Sequence, residues 1–91
     1  MREVSRFARS LGHPARLSVV SILLTQGETA AMDLVRALPL SQPACSRHLA
    51  ALKRAGLVRV RENGAQVHYS LNKGHVRALV QAFQKALTDK R

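Results

Sequence analysis

The sequence predicts a mainly α-helical domain with one small β-hairpin: about five helices and two strands in the order α, α, α, α, β, β, α. Three observations lead there. Apolar residues recur at helical spacing in five separate stretches, two short runs alternate with period two, and an Asn63-Gly64 pair lies between those runs. Ninety-one residues are too few for two independent cores, so 1–91 is expected to be a single unit.

Val4, Phe7, Ala8 and Leu11 follow i, i+3, i+4, i+7 spacing and define a first amphipathic helix within 1–12. Gly12-His13 ends it, and Pro14 suits the first position of a second helix reaching about Thr25. Leu17, Val19, Val20, Ile22, Leu23 and Leu24 make that helix apolar on most sides, so it is expected to be the central buried one, closed by Gly27. Ala31, Leu34, Val35 and Leu38 repeat the helical spacing in a short third helix starting near Thr29 or Ala30.

The fourth helix, 41–55, carries its own start and stop signals. Ser41 is an N-cap type, Pro43 falls where a helix tolerates a missing N–H, and Gly56 can take the left-handed conformation that closes the far end. Cys45, Leu49 and Leu52 share one stripe, while Gln42, Ala44, Ser46, Arg47 and Lys53 lie largely off it. A short helix with an apolar back and a small, polar, cationic front fits a DNA major groove. With the third helix before it, joined by Leu38-Pro39-Leu40-Ser41, it forms a helix-turn-helix over 30–56.

Leu57 to Arg61 and Val67 to Leu71 then alternate around Asn63-Gly64, the strongest short hairpin signal because both residues tolerate positive φ. A ribbon directly after a recognition helix is a wing, 57–71. Val58, Val60, Val67, Tyr69 and Leu71 are its packing face, which leaves Arg59 and Arg61 to point toward solvent or phosphate. Asn72 can cap a last helix, 73–88, with Val76, Leu79, Val80, Phe83 and Leu87 on one side. The core of so small a domain is mostly used up by the central helices and wing. The stripes of the first helix (Val4, Phe7, Ala8, Leu11) and the last (Val76, Leu79, Val80, Phe83, Leu87) are therefore expected to meet a second copy, giving a two-fold dimer suited to palindromic DNA.

Charge supports a polyanionic partner. Fifteen Lys plus Arg against five Asp plus Glu give +10, and no acid occurs between Asp33 and Glu62, where six cations fall. Only three aromatic residues argue against base-stacking recognition of single strands or RNA. One cysteine excludes an internal disulfide framework, and no apolar run approaches spanning length; a cytoplasmic protein without membrane attachment is expected. Five dispersed acids, no evident nucleophile–base set and no glycine-rich phosphate loop make an enzyme unexpected.

Taken together these residues resemble the ArsR-type winged-helix repressors. The likeness runs through Leu11-Gly12-His13-Pro14-Ala15-Arg16-Leu17, Asp33-Leu34, Leu40-Ser41-Gln42, Ser46-Arg47-His48-Leu49 with Leu52, Ala55-Gly56-Leu57-Val58, Asn63-Gly64 and Tyr69 to Leu71. The resemblance implies a homodimer formed by the first and last helices, binding an operator and repressing transcription until an effector, which the sequence does not identify, intervenes. By position, Gln42, Ser46, Arg47 and His48 would face bases or phosphates, with Ser41 near a phosphate. Three positions depart from the family. Pro43 and Ala44 replace polar residues and leave mainly apolar contact, Pro39 replaces a glycine so the turn must be built differently, and Ala65 replaces a basic wing-tip residue. Minor-groove contact would then rest on Asn63, Gln66 or Arg61.

The metal-sensing Cys-x-Cys pair of many relatives is replaced here by Ala30-Ala31-Met32-Asp33-Leu34, and the four histidines form no i, i+4 pair, so no metal or other cofactor is expected. Cys45 has two readings. It is a redox switch favoured by a helix N-terminus and Arg47, or a small core hydrophobe in register with Leu49 and Leu52. His48 is either a phosphate-contacting group or a half-buried histidine bonded to backbone. The functional reading is a dimeric, sequence-specific DNA-binding repressor. The alternative is a winged-helix interaction or architectural module that does not read sequence.

Overall fold

The computed structural model describes residues 2–88; the side chains of Glu3, Val4, Phe7 and Ser10 lie outside the description, and with them the expected interface positions Val4 and Phe7. Five helices and three strands follow in order: α1 Arg2–Ser10, α2 Pro14–Gln26, β1 Thr29–Ala30, α3 Ala31–Ala37, α4 Gln42–Arg54, β2 Val58–Asn63, β3 Gln66–Leu71 and α5 Lys73–Thr88.

Helix boundaries follow the local signals. Pro14 opens α2, and Gly27, at φ 78°, closes it with its N–H on the Leu23 carbonyl. Asn72 precedes α5, and its Oδ1 accepts the His75 N–H at 3.4 Å. Turn 38–41 contains no left-handed residue; Leu38 is extended, so Pro39 is accommodated without the positive φ that a glycine would supply.

The sheet differs from the expected two-stranded wing. Its order is β1-β3-β2, all antiparallel, with Thr29 opposite Tyr69 and Ala30 opposite His68. Thr29, expected near the start of α3, is buried in this third strand, and its hydroxyl donates to the Gly27 carbonyl at 2.8 Å. Two residues are too few to show a period, yet they cover one edge of β3. The hairpin turn is also placed differently. Asn63 pairs with Gln66, so Gly64-Ala65 is the two-residue loop and only Gly64 has positive φ, at 65°. Glycine at the first loop position is the type II′ arrangement.

The core lies where α2, α3 and α4 meet the sheet: Val19 and Leu23, Leu34, then Cys45, Leu49 and Leu52, closed by Leu57, Val58 and Leu71. Two expectations about burial are corrected. In α2 only Val19 and Leu23 are buried, while Leu17 and Leu24 are 52% and 63% exposed, because a helix this small domain can cover on one side only leaves its other apolar side outside. In α5, Leu79 is buried and Val76 packs beside it in the same core, so the first half of that helix belongs to its own domain. Leu11 likewise packs against the core. Val80, Phe83 and Leu87 stay 38%, 37% and 66% exposed.

Candidate nucleic-acid interface

The local sequence fixes α4 at both ends. Ser41 Oγ accepts the Ala44 N–H at 3.2 Å, and the Ser41 carbonyl accepts from Cys45 at 3.0 Å. At the far end Gly56 has φ 77°; its N–H reaches the Lys53 carbonyl at 2.9 Å and the Leu57 N–H reaches Leu52 at 3.0 Å. These two bonds, with Leu52 and Leu57 both buried, make a Schellman closure. The helix is therefore held in position and rotation by its buried stripe and its two caps. What it presents outward is Gln42, Ser46, Arg47, Lys53 and Arg54, all exposed, with Ala44 half-buried and no acid anywhere on the helix.

His48 is not presented in the same way. It is half-buried, and its Nδ1 accepts a hydrogen bond from Arg16 Nε at 3.1 Å while the His13 ring stands 5.4 Å away, centre to centre. Burial, then the charges of Arg16, His13 and Arg47, lower its pKa, so its working form is a neutral acceptor. Its partner is the Arg16 side chain, not the backbone anticipated for a half-buried histidine. Sequence reading missed this role of Arg16 and His13, which start α2 some thirty residues upstream.

The wing is likewise partly committed. Arg61 projects from β2 on the outward side as alternation requires, but its Nε donates to Glu28 Oε2 at 2.9 Å and its Nη2 bonds the same oxygen. His68 Nδ1 lies 3.7 Å from that carboxylate, and its Nε2 lies 3.2 Å from Gln66 Oε1. Arg59 Nη2 reaches Asn72 Oδ1 at 3.5 Å, and Asn63 is exposed beside the tip. Glu28 went unnoticed in the sequence because nothing local connects it with a wing 33 residues away. Between α3, the start of α4 and the wing lies a groove of about 600 Å³, which brings Gln42 opposite Ala65, Gln66 and His68. On its α3 side Arg36 is paired with Asp33 at 3.1 Å.

Cys45 is fully buried among the core leucines, and burial pushes its thiol pKa up. The redox reading required a thiolate favoured by its surroundings; the packing produces the opposite. Among the described residues no group of three or more His, Cys, Asp or Glu is arranged to hold a metal ion, and no helix is long and apolar enough to cross a membrane.

A capped helix exposing polar and cationic residues, preceded by a tight turn and followed by a wing, defines a winged helix-turn-helix DNA-binding regulator of transcription. Residues 13–60 match the profile described as "Bacterial regulatory protein, arsR family", and the chain belongs to that family. It is 45% identical over 62 residues to the "Arsenical resistance operon repressor" of Escherichia coli K12, covering 68% of this chain and 53% of that protein, so it spans about half that relative's length. It is 34% identical over 81 residues to the "Biofilm growth-associated repressor" of Xylella fastidiosa strain Temecula1, covering 89% of this chain and 70% of that protein. The solved structure of HlyU from Vibrio cholerae N16961 superposes with a TM-score of 0.78 at 31% identity, over 96% of this chain and 92% of that one.

Proposed function

We propose that the chain is a homodimeric repressor that reads a palindromic operator by placing α4 of each protomer in a major groove, with the wing against the neighbouring backbone. The observation that carries this is α4 itself: its apolar side is fixed in the core, its exposed side is polar and cationic, and it has no acid. Gln42 and Arg47 are the side chains able to read base edges bidentately, and Ser46 and Lys53 accompany them on the exposed side. The helix-turn-helix of 30–56 reads the site, and the wing of 57–71 contributes phosphate contacts through Arg59, Arg61 and Asn63. Repression is carried over from relatives named as repressors, although HlyU of Vibrio cholerae is named a transcriptional activator.

Dimerisation rests on the second half of α5. Val80, Phe83 and Leu87 succeed one another at helical spacing on an exposed side, and α1 lies against the same helix. A two-fold pair would set the two α4 helices about one DNA turn apart, roughly 10 bp.

Selection of bound duplexes from a random pool tests the reading. A palindrome with half-sites at that spacing supports it, and Gln42→Ala or Arg47→Ala should then lose discrimination worth ~1–3 kcal/mol. A folded dimer that enriches no sequence would sink it and leave an architectural or protein-docking role. A monomer in sedimentation at micromolar concentration would sink the dimer.

A further inference from the structure

A cleft of about 360 Å³ opens between the start of α2, the turn 38–41 and His48 of α4. Its origin is local. Leu38 and Ser41 are both extended, so the chain arches away from α3 before α4 begins, and Ala15, which also lines the space, is too small to fill it. Pro14 and Pro39 fix φ in α2 and in the turn, so the cleft is preformed. Among the described residues it shares no lining side chain with the groove beside the wing.

The walls are mostly carbon, from Pro14, Ala15, Leu38, Pro39 and Leu40, and the polar groups are His13, Ser18 and His48. An apolar cavity of roughly 300 Å³ or more with a few polar groups is the usual form of a small-molecule site. The two imidazoles do not make a metal centre, because among the described residues no third ligand of the His, Cys, Asp or Glu type joins them.

His48 sets which ligand the cleft takes. Its Nδ1 accepts from Arg16 Nε at 3.1 Å, and burial, the largest cause, lowers its pKa and keeps the ring neutral. A neutral imidazole with an accepting Nδ1 carries its hydrogen on Nε2. Among the described residues no hydrogen bond engages that nitrogen. Arg16 does not line the cleft whereas His48 does, so Nδ1 is committed to Arg16 and the donor nitrogen is left for a ligand. That donor asks for an oxygen acceptor. The His13 ring, 5.4 Å from His48 and tilted by 53°, joins the pyrrolidine rings of Pro14 and Pro39 in offering flat faces on which an aromatic ring packs.

We propose that this cleft binds a small aromatic molecule bearing an oxygen acceptor, held by His48 Nε2 and packed on Pro14, Pro39 and Leu40. Binding needs no DNA; only a role as the effector site of the regulator rests on the repressor reading. In that role the ligand acts beside Arg47, through the His48–Arg16 bond that ties α4 to α2.

The test uses the full chain and two probes, benzamide and toluene, followed by amide shifts at Ala15, Ser18 and Leu40 and by the nitrogen shifts of the His48 ring. Both probes should bind saturably, at about millimolar affinity or tighter, and only benzamide should move His48 Nε2. Ser18→Phe, at an exposed position that fills the cleft, should weaken both probes about tenfold or more, with the remote Arg77→Gln unchanged. His48→Phe should lower benzamide affinity about fivefold or more, the size of one hydrogen bond, and leave toluene affinity in place. Where His48→Phe does not fold, the Nε2 shift in wild type reads the same contact. The proposal is overturned if neither probe binds, if Ser18→Phe leaves binding intact, or if benzamide leaves Nε2 unmoved. Shifts at the same amides on protein dilution alone would give the cleft to a second copy, and shifts with a random duplex alone would give it to the DNA backbone; either overturns the small-molecule site. The probe measurements need no DNA, so failure of operator selection and failure of this site are read separately.

Discussion

Replacing Cys45 separates a core residue from a sensor, and the structure gives the sizes to expect. The thiol is fully buried against Leu34, Leu49 and Leu52, and among the described residues no buried side-chain polar atom lacks a partner. Cys45→Ala removes one sulfur and leaves a small void. With ~24 cal/mol per Å³ of residual cavity added to the lost transfer energy, the cost is about 1–2 kcal/mol. Cys45→Ser keeps nearly the same shape but buries a hydroxyl. The acceptor in reach by helix periodicity is the Ser41 carbonyl, already bonded to the residue 45 N–H at 3.0 Å. Burying a poorly satisfied hydroxyl adds ~1–3 kcal/mol, so the serine variant should be the less stable of the two, at about 2–4 kcal/mol below wild type.

In a domain this size each kcal/mol shifts the melting temperature by ~4–8 °C, so the loss for serine should be at least ~8 °C. The assay is thermal and urea unfolding at one fixed protein concentration, because association contributes to apparent stability. A thiol reagent supplies the second reading: native protein should react only as fast as it opens, and unfolded protein at once. A serine variant as stable as wild type, or rapid labelling of native Cys45, would refute the core assignment.

Three further outcomes are expected. Gly56→Ala should lose about 1–2 kcal/mol to the positive φ alone, and more because its Cβ would stand 3.0 Å from His75 Nε2; Gly27→Ala meets open space, but at φ 78° and ψ −153° it occupies a region essentially confined to glycine and should lose about 1–3 kcal/mol from the backbone alone, as urea midpoints will show. Glu28→Gln should change stability by less than ~1 kcal/mol, since its pair with Arg61 is substantially exposed, yet should tighten binding to a random duplex by freeing that guanidinium; unchanged or weaker binding refutes a restraining role. His48 has a lowered folded-state pKa, so the unfolded chain takes up its proton first as pH falls. The contribution is intact above the unfolded value of about 6.5 and is lost as pH falls through the folded one, and His48→Gln should flatten that part of the pH–stability curve.

Much of the fold is legible locally. Ser41, Gly56, Gly27, Pro14 and Asn72 mark their helix ends by the conformations and hydrogen bonds their own side chains or missing Cβ permit, and each acts as expected in the structure. The stripe Cys45, Leu49 and Leu52 is buried as its spacing requires. The hairpin was also visible, though its loop was off by one residue: both Asn63-Gly64 and Gly64-Ala65 can turn a chain, and pairing with the rest of β3 chose the second.

What sequence alone determined about this protein is therefore its five helices, its hairpin, most of their ends and the polar, cationic side of α4, because those depend on neighbours within about one helical turn or one strand pair. Tertiary structure decided the rest. Only folding brings Arg16 onto His48, Glu28 onto Arg61 and Thr29 onto the edge of β3, contacts between residues 32, 33 and 40 positions apart. It also divided the apolar stripe of α5 between its own core and an exposed half, and set the start of α2, the turn 38–41 and His48 around one cleft. No periodicity encodes those encounters; they follow from how the helices pack once the shared core has closed.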